Sequence, residues 1–88
     1  MKFIELDWDD WNVDHIARHG ITVDEVEETC LNNPWIVKGR QKRYYVSGQT
    51  NSGLYLFIVI DPPRWGSKAR VATARPMDNS ERQRYLRR

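Results

Sequence analysis

The sequence predicts an α+β domain, a small antiparallel sheet with two N-terminal helices on one face and a short helix at the C-terminus. Three observations carry this. Between residues 9 and 33 the apolar positions recur at a helical period with capping residues in place. After Pro34 the period changes to runs rich in β-branched and aromatic residues. From Asp78 onward the chain returns to helix formers, with an acidic start and a basic end.

The elements follow in order. "KFIELDW" places Ile4, Leu6 and Trp8 on one face at period two, an opening strand. Asp9 or Asp10 can cap a short helix across "WNVDHIARH", which Gly20 ends as a left-handed residue. In "ITVDEVEETCL", Thr22 and Glu25 have capping-box spacing, and Ile21 and Val26 can close as a hydrophobic staple. That helix turns Val23, Val26 and Cys30 inward and stops at "NNP", where Pro34 cannot continue it.

Strands are then expected in "WIVK", "KRYYVS", "LYLFIVI" and "ARVATAR", with "GQTNSG" as a hairpin connection and "DPPRWGSK" as a longer loop. Residues 54–60 are apolar throughout, which predicts a central strand covered on both faces. Asp78 or Ser80 caps the terminal helix. The expected order is βααββββα, and residues 1–88 are expected to form one domain.

Composition narrows the function. The chain is 40% hydrophobic with four Trp, which argues against disorder. Its longest apolar run, residues 54–60, is too short to span a bilayer, and no basic-then-apolar leader opens it. A cytoplasmic location is expected. The single cysteine, Cys30, suits a reducing compartment and reads as a buried structural thiol.

The net charge of +2 conceals a division. Residues 1–33 hold two Lys/Arg against nine Asp/Glu, whereas residues 34–88 hold twelve against three. Either the basic part meets an anionic partner, or the acidic helices neutralise the basic sheet within the fold. Six arginines lie in "ARVATARPMDNSERQRYLRR" alone, residues 69–88. The sheet face away from the paired helices, rimmed by Arg43, Arg75 and the last helix, is where function is sought.

Three blocks of sequence resemble the BrnT-type toxins of bacterial toxin–antitoxin pairs, members of the wider RelE-like ribonuclease group. They are "WD" at 8–9 with "RHGIT" at 18–22, "RYYVSG" at 43–48, and the closing segment through Arg70, Thr73, Ala74, Arg75, Glu81, Arg82 and Tyr85. The first helix is one residue shorter than the family pattern, with Asn12 and His15 near its Lys and Asn positions, and Pro76 stands where a basic residue is common. The resemblance implies a RelE-like fold and metal-free cleavage of messenger RNA by attack of the ribose 2′-hydroxyl on the adjacent phosphate. It also implies a small ribbon–helix–helix antitoxin as partner. The expected assembly is a homodimer or a heterotetramer with that antitoxin. No membrane, cofactor or metal is expected.

Such cleavage needs a base, an acid and cations at the phosphate. Arginine suits the last role, since its planar fork meets two phosphate oxygens and keeps its charge. Arg75, ending a strand, is the first candidate and Arg43 the second; either is otherwise a surface residue or an ion-pair partner. Tyr85 is an acid, a stacking surface or a packing residue. Glu81 is a general base or, more simply, a carboxylate at a helix start. His19 is an acid–base group or a helix-end cation. His15 and His19 share a helical face without a third ligand, so a metal site has little support.

Lys38, Arg40, Lys42, Arg64, Lys68, Arg70 and Arg82 are expected to hold the phosphate backbone, and Tyr44, Tyr45, Trp35 and Trp65, interleaved with the cations, to stack on unpaired bases or to form cross-strand aromatic pairs. Trp8, Trp11 and Phe57 are assigned to the core. Two main readings stand: an endoribonuclease toxin, or a binding module of the same fold that takes RNA or protein without cleaving. A scaffold whose basic face serves only dimer contacts is a third.

Overall fold

The computed structural model describes residues 5–63 and 68–88. Arg64 and Trp65, with Ile4 of the expected first strand, lie outside the described residues.

The first strand, β1 (Glu5–Asp7), leads into α1 (Asp10–Ala17). Asp9 caps this helix through a reciprocal capping box with Asn12. The helix closes as a Schellman turn, with Gly20 N donating to Ala17 O and Ile21 N to Ile16 O. Gly20 sits at φ +77°, which a β-carbon would strain, and both Ile16 and Ile21 are buried across the turn. The second helix, α2 (Val23–Leu31), begins with the Thr22–Glu25 capping box expected from sequence.

Four more strands follow: β2 (Trp35–Lys38), β3 (Tyr44–Gln49), β4 (Tyr55–Ile60) and β5 (Lys68–Pro76). A short 3₁₀ turn at Arg40–Lys42 separates β2 from β3, and α3 (Asn79–Arg87) closes the chain under an Asp78 cap. The order of elements is as expected. The strands run β1-β5-β4-β3-β2 across one sheet. All neighbours are antiparallel except β1 and β5, which are parallel, so the sheet is mixed rather than wholly antiparallel. A parallel pair needs a long crossover, and everything from α1 to β4 supplies it.

Register assigns the faces. Ile36, Val46, Ile58 and Ala74 form one cross-strand row on the face that α1 and α2 cover, and there Ile16 and Val26 complete the core. Gly48 of β3 belongs to this face because α2 passes close, and a β-carbon there would meet Thr29 Cγ2 at 2.9 Å. On the opposite face, Trp35, Ser47, Phe57 and Arg75 form one row, and Val37, Tyr45, Val59 and Thr73 the next. Helix α3 covers only one end of this face, where Tyr85 packs edge-on to Tyr55 at 6.0 Å. Strand β4 is central but unevenly covered: Leu56, Ile58 and Ile60 are fully buried on the helix side, while on the other face Val59 is buried and Tyr55 and Phe57 are only partly so. Its apolar run reflects aromatic packing under α3 rather than a second helical layer.

One irregularity shapes the open face. Val59 pairs with Thr73 and Ile60 with Val71, so Ala72 is an extra residue in β5. Strict alternation would put Arg70 and Arg75 on opposite faces. The bulge reverses the parity, leaving Ala69, Val71 and Ala74 in the core and turning Arg70 toward the open side.

Candidate nucleic-acid interface

The open face carries two adjoining pockets, of about 530 and 700 Å³, that share Arg43, Asp61 and Arg70. Trp11 and Thr73 line the first, and Lys68 and Gln41 the second. Their arginines come from separated parts of the chain. Arg43 enters β3 from the 3₁₀ corner, and Arg70 is aimed by the β5 bulge.

Each of these arginines is held by a carboxylate through a single nitrogen. Arg43 Nε donates to Asp61 Oδ1 at 2.6 Å, and Arg70 Nη1 to Asp9 Oδ2 at 2.5 Å. A guanidinium has five donor hydrogens. Among the described residues no hydrogen bond occupies either Nη of Arg43, nor Nη2 or Nε of Arg70. The carboxylates therefore orient the forks without exhausting them. Asp9 stays ionised below the usual carboxylate range, held there first by the Asn12 backbone N–H and then by Arg70.

Arg75 is different. Its Nη1 and Nη2 donate to Glu81 Oε1 and Oε2, both at 2.7 Å, and Nη1 also reaches Pro76 O at 3.2 Å. Its guanidinium lies 4.8 Å from the Phe57 ring centroid. This pairing pulls the Glu81 carboxyl below its ordinary range and raises Arg75. Arg75 ties α3 to β5. Nor does it join Arg43: their sheet positions, opposite Phe57 and beside Asp61, are four residues apart along β4, about 13 Å of strand. The expected pocket between Arg43 and Arg75 is not formed; Arg70 takes the second place.

Other expected residues sort in the same way. Glu81 is doubly engaged, with Arg75 and with the Asp78 backbone N–H. Tyr85 is buried, 6% exposed, packing on Tyr55 instead of facing a cleft. His19 is exposed past the end of α1, its ring edge-on to His15 at 5.7 Å. Lys38, Arg40 and Lys42 are exposed around the β2–β3 corner, and Lys68 is exposed at the start of β5. Tyr45 lies on the open face. Arg82 stacks over Tyr55 at 4.3 Å, on α3 rather than in the cleft.

One aromatic assignment is corrected: Trp11 is 58% exposed and is not core. Phe57 does pack, against Tyr45 and beneath Arg75, but on the sheet face away from α1 and α2. On α1, Asn12 and Ile16 take the inward face, which puts Trp11 and His15, four residues apart, on the outward one. Trp8 is half-buried against the core and donates to Glu27.

His15 is the residue that sequence reasoning undervalued. Its ring stacks on Trp11 at 4.9 Å with 7° between planes, while Arg70 lies 5.4 Å from the Trp11 centroid. Its Nε2 is 3.1 Å from Thr73 Oγ1 at the cleft wall. The stacking signal was visible in "WNVDH", as Trp and His at i and i+4. Asn12, fully buried, anchors this arrangement by donating to Asp7 O at 2.9 Å and Val71 O at 3.4 Å.

The charge division persists in space. Of the three ion pairs among the described residues, only Arg70–Asp9 links the acidic first third to the basic remainder. Among those residues no His/Cys/Asp/Glu cluster could hold a metal, and no helix is long and apolar enough to cross a membrane. Cys30 lies in α2, where burial first and Glu27 second push its thiol up to about 11. No family model matches the chain, and no curated protein matches it.

Proposed function

We propose that this domain is a metal-independent endoribonuclease toxin of a cytoplasmic toxin–antitoxin pair, with single-stranded RNA lying across the open sheet face. The observation that carries this is the pair Arg43 and Arg70 in one cleft, each oriented by a carboxylate with donors still uncommitted. The ordered sequence blocks resembling BrnT-type toxins support it. The two forks grip the scissile phosphate and stabilise its extra negative charge during attack. Asp61 accepts the 2′-hydroxyl proton as the 2′-oxygen–phosphorus bond forms, and His15 gives a proton to the departing 5′-oxygen. Lys38, Arg40, Lys42 and Lys68 draw the backbone in. Arg75, Glu81 and Tyr85 serve by fixing α3. A ribbon–helix–helix antitoxin covers the basic rim and silences it.

A second reading, a module that binds without cleaving, is favoured by one observation: Arg43, Arg70 and Arg75 are all paired with the molecule's own carboxylates. Expression of wild type, Arg70→Ala and His15→Ala from a tight promoter separates the two. The toxin reading expects growth arrest with fragmented RNA for wild type and relief in both variants. Equal growth with intact RNA in all three leaves only the binding module.

A further inference from the structure

We infer that a second subsite on the open face, between α3 and the β2 edge, accepts one unpaired nucleobase of the bound strand. This rests on the RNA-binding reading and deepens it. The cavity is about 260 Å³, below the usual range for small-molecule sites, and suits a single flat ring system better than a whole nucleotide. Trp35, Tyr45 and Phe57 supply aromatic surface from three adjacent strands, with the Tyr45 and Phe57 centroids 5.6 Å apart. Arg84 stands at the α3 wall. Every nucleobase has a π-face, so such a platform with a cation beside it binds bases of any sequence.

Two further observations point to a base rather than to an apolar side chain. Ser47 is 7% exposed and its hydroxyl has no partner among the described residues, yet no buried side-chain polar atom lacks one. Its Oγ therefore opens on the cavity it lines, a donor and acceptor for a base edge. The subsite is also continuous with the cleft. The row Trp35–Ser47–Phe57–Arg75 borders the row Val37–Tyr45–Val59–Thr73, and Val59 and Thr73 line the cleft. Along the strand direction Tyr45 lies two residues from Arg43, about 7 Å, and Phe57 four residues from Asp61, about 13 Å, so a strand with its phosphate at Arg43 and Arg70 brings a base one or two nucleotides away over the aromatics.

The probes are a single-stranded 2′-O-methyl oligonucleotide, which cannot be cleaved by 2′-oxygen attack, and an abasic strand of equal length. Full-length wild type, Trp35→Leu and Trp35→Phe are titrated with both. Stacking of one base makes the base-containing strand about 5- to 150-fold tighter than the abasic one. Trp35→Leu removes most of that preference and Trp35→Phe restores it, while abasic binding stays constant across the three. Equal affinity for both strands in wild type, or a preference untouched by Trp35→Leu, overturns the subsite and leaves the phosphate cleft standing. Failure of wild type to bind either strand overturns the RNA reading itself and leaves the groove to a protein partner.

Discussion

Arg75 and Glu81 face each other across the β5–α3 corner in a two-pronged ion pair, with both nitrogen–oxygen distances at 2.7 Å. Glu81 is the more enclosed partner, its side chain 11% exposed against 35% for Arg75. Arg75→Ala therefore loosens α3 and destabilises the fold by about 1–2 kcal/mol, a charge-assisted pair discounted for partial exposure. Urea denaturation gives the value directly, and Glu81→Gln lowers the midpoint by a similar amount. A loss of activity in Arg75→Ala tracks this loss of stability; an inactive Arg75→Ala with an unchanged midpoint contradicts the assignment.

The same pair sets an acid limit on stability. Arg75 depresses the folded-state pKa of Glu81, whose ordinary value is 4.5, so the folded state binds fewer protons than the unfolded one. The contribution is complete above pH 4.5 and is lost as pH falls through the lower folded-state value. Asp9, depressed from 3.8 by the Asn12 N–H and by Arg70, adds to the slope further into acid. Denaturation midpoints from pH 3 to 7 should be flat at the top and fall below about 4.5, with a shallower fall in Glu81→Gln.

Asn12 carries more than its own helix cap. It closes the capping box with Asp9 and bridges β1 and β5 through their carbonyls, from a fully buried position. Asn12→Ala should cost about 2–3 kcal/mol, since it leaves the Asp9 N–H without its side-chain acceptor and two carbonyls without donors, while the Asp9 carboxylate still caps the helix through the residue-12 backbone N–H. Because Trp11 and His15 ride on the same helix, nucleic-acid binding by the folded fraction should weaken too. Retained stability in Asn12→Ala contradicts the anchoring role.

Cys30 should behave as a packing residue. With its thiol pushed up to about 11 it holds little thiolate at pH 8, so alkylation should be at least about tenfold slower than for free cysteine. Cys30→Ala should leave nucleic-acid binding unchanged. Rapid alkylation, or loss of binding in Cys30→Ala, contradicts this.

Much of the fold was legible because it depends on local chemistry. Thr22–Glu25 and Gly20 fix helix ends where the sequence places them, and of the paired cap candidates Asp9 and Asp78 take the role, all by interactions within a few residues. The parallel pairing of β1 with β5 was not legible, since it joins residues more than sixty positions apart. The site was half legible. Arg43 and Arg70 both stand out in the sequence, but their meeting depends on Ala72 being an extra residue in β5, and "ARVATAR" reads as plain alternation. Arg75, ending a strand beside a chain reversal, is the more conspicuous partner for Arg43. Periodicity assigns Trp11 to the core, whereas Asn12 and Ile16 claim the inward face of α1.

The central claim is that Arg43 and Arg70 jointly hold a phosphate of single-stranded nucleic acid, and it is tested most directly by the salt dependence of binding. Affinity of a 2′-O-methyl oligonucleotide should be measured across salt concentrations for wild type, Arg43→Gln, Arg70→Gln and the double variant. The account predicts weaker binding at every salt concentration, with the logarithmic slope falling by about 0.7 per arginine that contacts its own phosphate and by less where the two share one. Affinity and slope identical in all four proteins, at unchanged stability, would contradict it.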